Sequence, residues 1–290
     1  IMYKSFLNLI FILISFLKKI IFLITKRSIL LYLKDFFEMR AYTELDILNT
    51  KTKFFTPNQL TKWRTETILL KEPETIEWID NFDNSKEILF WDIGSNIGIY
   101  SIYNSIKNKN SKTIAFEPST SNLRILSRNI FINNLQNQIS IFPIALTDKS
   151  NVFLNMKENN FIEGSAMNSF GEEWDFEGKK FKSNMSYNIF GTSINFLVEN
   201  KILKIPNYIK IDVDGLEHLI LNGGSKFLKS KEIKSLSIEL NENFEKQYNA
   251  VMKIMKNSNF KLKHKKKALR TNKQDQDKKF LKTFNFVFTR

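Results

Sequence analysis

A chain of 290 residues that is 42% hydrophobic and carries 27 Phe has the apolar content for a sizeable core, which excludes an intrinsically disordered protein. With no Cys, disulfides and thiolate metal sites are excluded, and the composition suits a cytoplasmic enzyme. The formal charge of +14 is concentrated toward the two ends; it points to an anionic neighbour, a membrane surface or nucleic acid, without choosing between them.

The first segment, Ile1–Ile24, is strongly apolar, but its longest uncharged run, Ser5–Leu17, is shorter than the roughly 20 residues that cross a bilayer. At about 100° per residue Lys4, Asn8, Ser15, Lys19 and Lys26 fall on one stripe, leaving a broad Phe/Ile/Leu face. That is the pattern of a helix lying in the membrane interface with its lysines toward anionic headgroups. A signal-like segment is disfavoured because no small-residue cleavage site follows, and a helix packed on the protein's own core is the remaining alternative. Ser28–Asn49 mixes apolar and charged residues and reads as a helical connection. Residues 1–50 are therefore expected to form a helical extension with peripheral contact to an anionic membrane, and 51–290 a catalytic domain. Within Thr61–Phe82, KEPETIEWI has Pro73 near the first turn of a helix and Glu72 and Glu74 at its N-terminus.

The stretch Ile88–Gly98, ILFWDIGSNIG, is the centre of the chain. A short apolar run closed by Asp92 reads as a buried parallel strand, and helical periodicity resumes at Ile99, Ile102 and Ile106. Between them Gly94, Ser95, Asn96, Ile97 and Gly98 form a tight loop, the usual entrance to a nucleotide-type cofactor site. No Lys-Ser/Thr follows the second glycine and the spacing is not G-x-G-x-x-G, so a phosphate cradle and a dinucleotide fingerprint are both absent. Lys112–Phe116 reads as the next strand and ends in Glu117, where an acid can accept hydrogen bonds from ribose hydroxyls. Together these halves point to S-adenosylmethionine. Asp92 is expected near its ammonium, the Gly94–Gly98 amides near its carboxylate, and Glu117 on its ribose. The plainer alternative is that Asp92 caps a helix and Glu117 is a surface acid.

Thr120–Asn133 reads as a helix with Leu123, Leu126 and Ile130 inward, and Ile139–Ala145 as a third strand. Asp148 follows it, as either an adenine contact or a turn acid. Asn155–Asn188 is the least regular part and is a candidate acceptor lid, with Trp174 and Phe176 able to stack on a sugar face; an ordinary insertion is the alternative. Tyr208–Val213 reads as the fourth strand and delivers the polar cluster Asp212, Asp214, Glu217 and His218. Ser235–Leu240 is the fifth and carries Glu239, Phe244–Lys256 is a helix, and Phe284–Thr289 is a last strand. Lys261–Lys267 and the Lys/Gln/Asp run after it read as a solvated connection.

WDIGSNIGIYS, AFEPS, IALTD and KIDVDGLEHLILNGG, in this order and spacing, resemble the FkbM family of class I S-adenosylmethionine-dependent methyltransferases. With the upstream WRTETILLKEPETIEWI the resemblance spans about Phe54–Leu240. It implies an α/β, Rossmann-like sheet of order 3-2-1-4-5-7-6 with the last strand antiparallel, closed by a hairpin with a strand near Phe260–Lys263. It also implies methyl transfer to an oxygen of a sugar or other secondary metabolite. Pro118 and Ser119 join Glu117 as cofactor contacts, Asp148 lies beside the adenine, Arg64 is a candidate carboxylate contact, and the KEPET segment covers the cofactor. Members usually carry an acid just before the fourth strand, where this chain has Thr192-Ser193-Ile194-Asn195.

A hydroxyl acceptor must lose a proton as its bond to carbon forms, which calls for a carboxylate or His within hydrogen-bond reach. Asp212, Glu217, His218 and Glu239 are the candidates: Asp212 or His218 as base, Glu217 as orienting group. Asp212 with Asp214 has the oxygen chemistry for Mg²⁺, while the ordinary reading of Asp214–Glu217 is a turn and a helix cap; no metal is assigned. The expected acceptor is a small molecule, a glycan or a lipid-linked saccharide at the cytoplasmic membrane face. Two other readings are an RNA methyltransferase, prompted by the basic ends, and a membrane-tethered binding protein without catalysis. Nucleic acid is disfavoured, since amine methylation of a base would want an Asp/Asn-Pro-Pro-aromatic segment and none of the five prolines are adjacent.

Overall fold

The computed structural model describes residues 2–267 and 280–290. It divides into two units, Ile1–Tyr42 and Thr43–Arg290. The first holds α1 (Met2–Thr25) and α2 (Ile29–Glu38). Lys26, at φ 55°, leaves the helical region and ends α1.

The second unit opens with a hairpin, β1 (Tyr42–Ile47) and β2 (Thr50–Phe55), where the sequence reads as a helical link up to Asn49. Leu48 and Asn49 turn it with φ of 52° and 61°, the pair of left-handed residues that a two-residue hairpin turn requires. Leu48 is not a residue that advertises such a turn, which is why the sequence hides it. The hairpin crosses the domain boundary expected at residue 50. Then come α3 (Gln59–Glu66), α4 (Ile68–Lys71) and α5 (Pro73–Asp80), the last with Pro73 and Glu74 in its first turn as KEPET suggests.

The core alternates from there: β3 (Ile88–Ile93), α6 (Ile99–Lys107), β4 (Ser111–Phe116), α7 (Thr120–Ile132) and β5 (Ile139–Phe142). A side sheet follows, made of β6 (Ala145–Leu146), β7 (Val152–Glu158), β8 (Ser169–Phe170) and β9 (Met185–Thr192). The chain returns through α8 (Ile194–Glu199), β10 (Tyr208–Ile211), α9 (Glu217–Gly223), β11 (Ser235–Asn241), α10 (Glu245–Asn257), β12 (Lys261–Lys266) and β13 (Thr283–Thr289).

The main sheet has seven strands in the order β12-β13-β11-β10-β3-β4-β5. Renumbered by their order in this sheet, that is the expected 3-2-1-4-5-7-6. β3, β4, β5, β10 and β11 are parallel, and β13 runs antiparallel between β11 and β12. The strand that the resemblance implies near Phe260–Lys263 is β12, the edge of the closing hairpin; it runs on to Lys266, so most of the stretch read as a solvated connection is ladder, and lysines on an exposed edge also deter pairing with other chains. The Lys/Gln/Asp run after Lys267 lies outside the described residues.

Alternation along β3 sends Ile88 and Phe90 into one apolar cluster and Trp91 and Ile93 into the other. The expected single strand Ile139–Ala145 breaks at Pro143, which cannot donate to a ladder; β5 stays in the main sheet while β6 pairs with β9. Asn155–Asn188, expected as an irregular stretch, is irregular over most of its length, but its two ends and Ser169–Phe170 join the side sheet: β7 pairs with β9 from Val152–Gly191 to Glu158–Met185, and with β8 at Met156–Phe170.

Candidate functional site

The order of strands reverses between β10 and β3, so their C-terminal ends leave a crevice. A cavity of about 260 Å³ opens there, and a smaller one of about 50 Å³ adjoins it over the loop after β3. Gly94, Asn96, Arg64, Lys71 and Asp212 line both.

Gly94 has φ +83°, and a Cβ built on it would lie 1.9 Å from the Asp212 carbonyl oxygen, so only glycine lets the two strand ends approach. The loop uses up several of its own amides. Gly94 and Ser95 both donate their N–H to the Phe116 carbonyl at 3.0 Å, and Gly98 donates to Ser95 at 2.8 Å. Asn96 donates its N–H to Glu117 Oε2 at 2.7 Å. A ligand carboxylate therefore does not find these four amides free, as the sequence reading expected.

Glu117 lies at the tip of β4 and lines the larger cavity with Pro118. Its other oxygen accepts from Ser119 N at 2.9 Å, and burial pushes its carboxyl up to about 7. Ser119 itself is fully buried and caps α7 by accepting from Asn122 N, so it supports the site without lining it.

Asp92 does not reach the cavity. The period-two pleat puts it on the Phe90 face, beneath α6, where it is fully buried and accepts from Ser101 Oγ at 2.6 Å. Burial raises its pKa against the pull of Lys210. Asp148 is exposed, accepts from its neighbour Thr147 Oγ1 at 3.2 Å, and lines neither cavity. Ile144, Ala145 and Leu146 of the same segment line the larger cavity instead, with Met156, Phe170 and Ile220 completing an apolar end.

The rest of the lining is largely polar. Asp212, Asp214 and Glu239 belong to it, together with Arg64, Lys71 and Trp63. Lys210, buried on β10, holds Asp212 at 2.8 Å. Lys71 pairs with the buried Glu72 at 2.8 Å, and Tyr100 donates to Glu72 at 2.7 Å. Burial works to raise the Glu72 carboxyl, but Lys71 and Lys210 hold it down to about 2. Glu239 has no such cation of its own: burial, then the charges of Asp212 and Glu72, raise its pKa well above the usual carboxylate range. Asp214, at φ 58°, accepts from Met167 N at 2.6 Å, and burial with Asp212 beside it pushes its carboxyl up to about 6. Carboxylate oxygens of Glu72, Asp212 and Glu239 lie within 4.8 Å of one another. Two of these three acids already carry a lysine ammonium, so the charge that would draw a divalent cation is largely met by the protein.

Glu217 and His218, expected beside the reaction, lie outside both cavities. Glu217 closes the turn into α9: it accepts from Val213 N at 3.1 Å, from Gly215 N at 3.1 Å and from Gln247 Nε2, and burial pushes it up to about 8. His218 is buried between Trp174 and Phe244, and that burial lowers its pKa. Trp174 is thus a packing residue, and Phe176 stacks on Phe280, which does line the cavity. Asn195, where the resemblance led us to expect an acid, accepts from Lys226 N and is likewise no part of the lining.

Sequence reading missed Lys71, Lys210 and Trp63. Lys210 was legible in KIDVD as a cation inside a buried strand, where an unpaired charge is too costly to leave alone. The segment 163–168 closes over the site: Arg64 Nε donates to Gly164 O at 2.5 Å, and Asn96 and Asn122 side chains donate to Ser165 O at 2.8 and 3.1 Å.

The lining fits a nucleoside with an amino-acid end. Asn96 Oδ1, Asn168 Oδ1 and Trp63 Nε1 are buried at the cavity without a hydrogen-bond partner among the described residues, as polar atoms are that await a ligand. Glu117 would take the ribose hydroxyls, Ile144–Leu146 the base, and Lys71 and Arg64 the carboxylate.

The family model described as the methyltransferase FkbM domain matches residues 92–262. No curated protein matches the chain. Among solved structures, precorrin-6y C5,15-methyltransferase from Geobacter metallireducens is 10% identical with a TM-score of 0.44, over 76% of this chain and 86% of its own. M. capricolum TrmK, solved with S-adenosylhomocysteine, is 14% identical with a TM-score of 0.42, over 74% of this chain and 66% of its own. The B. subtilis M1A22 tRNA methyltransferase TrmK is 13% identical with a TM-score of 0.40, over 76% and 64%. Similarity this distant says nothing about the acceptor.

Proposed function

Since this chain belongs to the FkbM methyltransferase family and takes S-adenosylmethionine as methyl donor, we propose that it methylates a sugar hydroxyl of a glycan, a lipid-linked saccharide or a related metabolite. The observation that carries this reading is the set of three acids, Asp212, Asp214 and Glu239, in the polar part of a cavity lining that is elsewhere apolar. Neighbouring hydroxyls of a sugar donate well to carboxylates, and Trp63 adds a flat surface with an unpartnered N–H.

The bound donor supplies an electrophilic methyl carbon next to a sulfonium. The protein's part is to align the acceptor oxygen, exclude water and take one proton. Glu239 is the group for the proton: it lines the cavity and forms no ion pair among the described residues, and Lys71 draws its pKa down against burial, which favours the ionised form that accepts. Asp212, clamped by Lys210, and Asp214, clamped by Met167 N, orient the acceptor. With the donor bound, the acceptor hydroxyl would give up its proton to Glu239 while Asp212 and Asp214 hold the acceptor in place.

Incubation with methyl-labelled donor and separated glycan, lipid and RNA fractions tests the proposal. Label recovered as an O-methyl sugar supports it; label confined to RNA or to an amine refutes it.

A further inference from the structure

The unit Ile1–Tyr42 plays no part in the cavity, and its surface is unusual. Phe11, Leu13, Phe16, Leu23 and Ile24 of α1 are all more than half exposed, and no residue of α2 is buried. Surface of this kind needs a cover.

α1 is by length and composition a helix able to cross a membrane, over Ser5–Thr25. Its charges complicate that: Lys18 and Lys19 sit within the helix body, and with Asn8 and Ser15 they fall in an arc of about 100°. Phe11 and Phe22 interrupt the stripe, so α1 alone does not choose between crossing a membrane and lying in it.

α2 decides. Its 10 residues span only about 15 Å, half a bilayer core. Ile29, Leu33, Phe36 and Phe37 share one face, and Lys34, Asp35 and Glu38 another. Arg40 lies over the Phe36 ring at 3.7 Å and donates to the Phe36 carbonyl at 3.2 Å, holding a guanidinium at the edge of the apolar face.

The charge balance selects the occupant. Lys18, Lys19, Lys26, Arg27, Lys34 and Arg40 face only Asp35 and Glu38 in this unit. Lys18, Lys19, Lys26 and Arg27 form no ion pair among the described residues. Cations interleaved with exposed Phe, Ile and Leu match an anionic lipid surface, where each adds attraction while the apolar groups enter the acyl boundary. We propose that α1 and α2 together lie in the interface of an anionic leaflet as a peripheral membrane anchor. The anchor is independent of the methyl donor and of the acceptor.

The test uses the full chain with vesicles of phosphatidylcholine, with and without phosphatidylglycerol. Sedimentation should be strong with the anionic vesicles, fall steeply with salt, and be reversed by alkaline carbonate. Lys18→Glu with Lys19→Glu should weaken binding by at least about tenfold, and Phe36→Ser with Phe37→Ser should weaken it in both lipids, each with an unchanged melting temperature. Equal binding to neutral vesicles that resists carbonate would overturn the proposal in favour of a crossing helix. Recovery from cells of a chain lacking these residues would overturn it in favour of a cleaved leader. Absence of vesicle binding with self-association would assign the surface to a second copy instead.

Discussion

Gly94 and Asp212 stand at the tips of adjacent parallel strands so closely that a methyl group on Gly94 would lie 1.9 Å from the Asp212 carbonyl oxygen. Both residues line the larger cavity, so the distance that admits no side chain also sets the cavity's floor. Gly94→Ala should cost about 2–4 kcal/mol in denaturant unfolding and abolish cofactor uptake, since both a left-handed φ and a backbone clash are involved. Gly224→Ala, where the nearest atom is an Ile194 side-chain carbon at 3.2 Å, should cost less than about 1 kcal/mol.

Glu117 gives the site a pH signature. Without ligand its carboxyl keeps a proton up to about pH 7, whereas ribose hydroxyls donate best to the ionised form. Binding of S-adenosylhomocysteine should therefore weaken about tenfold per pH unit below that value and level off above it. Glu117→Gln should bind more weakly and with a flat profile. Calorimetry across pH checks both.

Glu239 and Asp212 should separate cleanly under mutation. Glu239→Gln keeps shape and removes the proton acceptor, so kcat should fall by about 10²–10³ with donor affinity within about twofold. Asp212→Asn removes the carboxylate hydrogen-bonded to the buried Lys210 ammonium, leaving Glu72 and Asp92 as its remaining anions, and should destabilise the fold by about 2 kcal/mol. His218→Asn, away from both cavities, should change kcat by less than about threefold.

Glu217 is expected to govern stability more than rate. Burial raises its folded pKa to about 8, above the ordinary carboxyl value of 4.5. Between those limits the folded chain keeps a proton that the unfolded chain releases, so this group's contribution is complete below 4.5 and is lost as pH rises through about 8. Glu217→Gln, which keeps an acceptor toward Val213 and Gly215, should flatten that decline in urea unfolding measured across the window.

The main sheet was legible because most of its strands are short apolar runs, several closed by an acid or glycine, and because the resemblance to the FkbM family implied the strand order. The loop Gly94–Gly98 and Glu117 were legible for the same reason: spacing along the chain maps onto adjacent strand tips. What failed was orientation. Asp92 and Glu117 look equivalent in the sequence, but the pleat turns Asp92 under α6 while Glu117, one residue past the end of β4, faces the cavity. Glu217 and His218 are neighbours of Asp214 in sequence, yet the turn at Asp214 and Gly215, both with positive φ, carries them away. The hairpin Tyr42–Phe55 and the side sheet were hidden because their pairing is set by tertiary contacts rather than strong turn residues. Lys71, at the end of a short helix, shows its role only once its partner Glu72 is found to be buried, whereas Lys210 carries a signal in the sequence, a cation inside a buried strand, that was passed over.

The central claim is methyl transfer to a sugar oxygen with Glu239 as proton acceptor. The most direct measurement is mass spectrometry of saccharide products after incubation with labelled donor, comparing the natural chain with Glu239→Gln at matched cofactor occupancy. An O-methyl sugar formed by the first and nearly lost with the second is the predicted result. Equal product from both, or label found on nitrogen or in RNA, would contradict it.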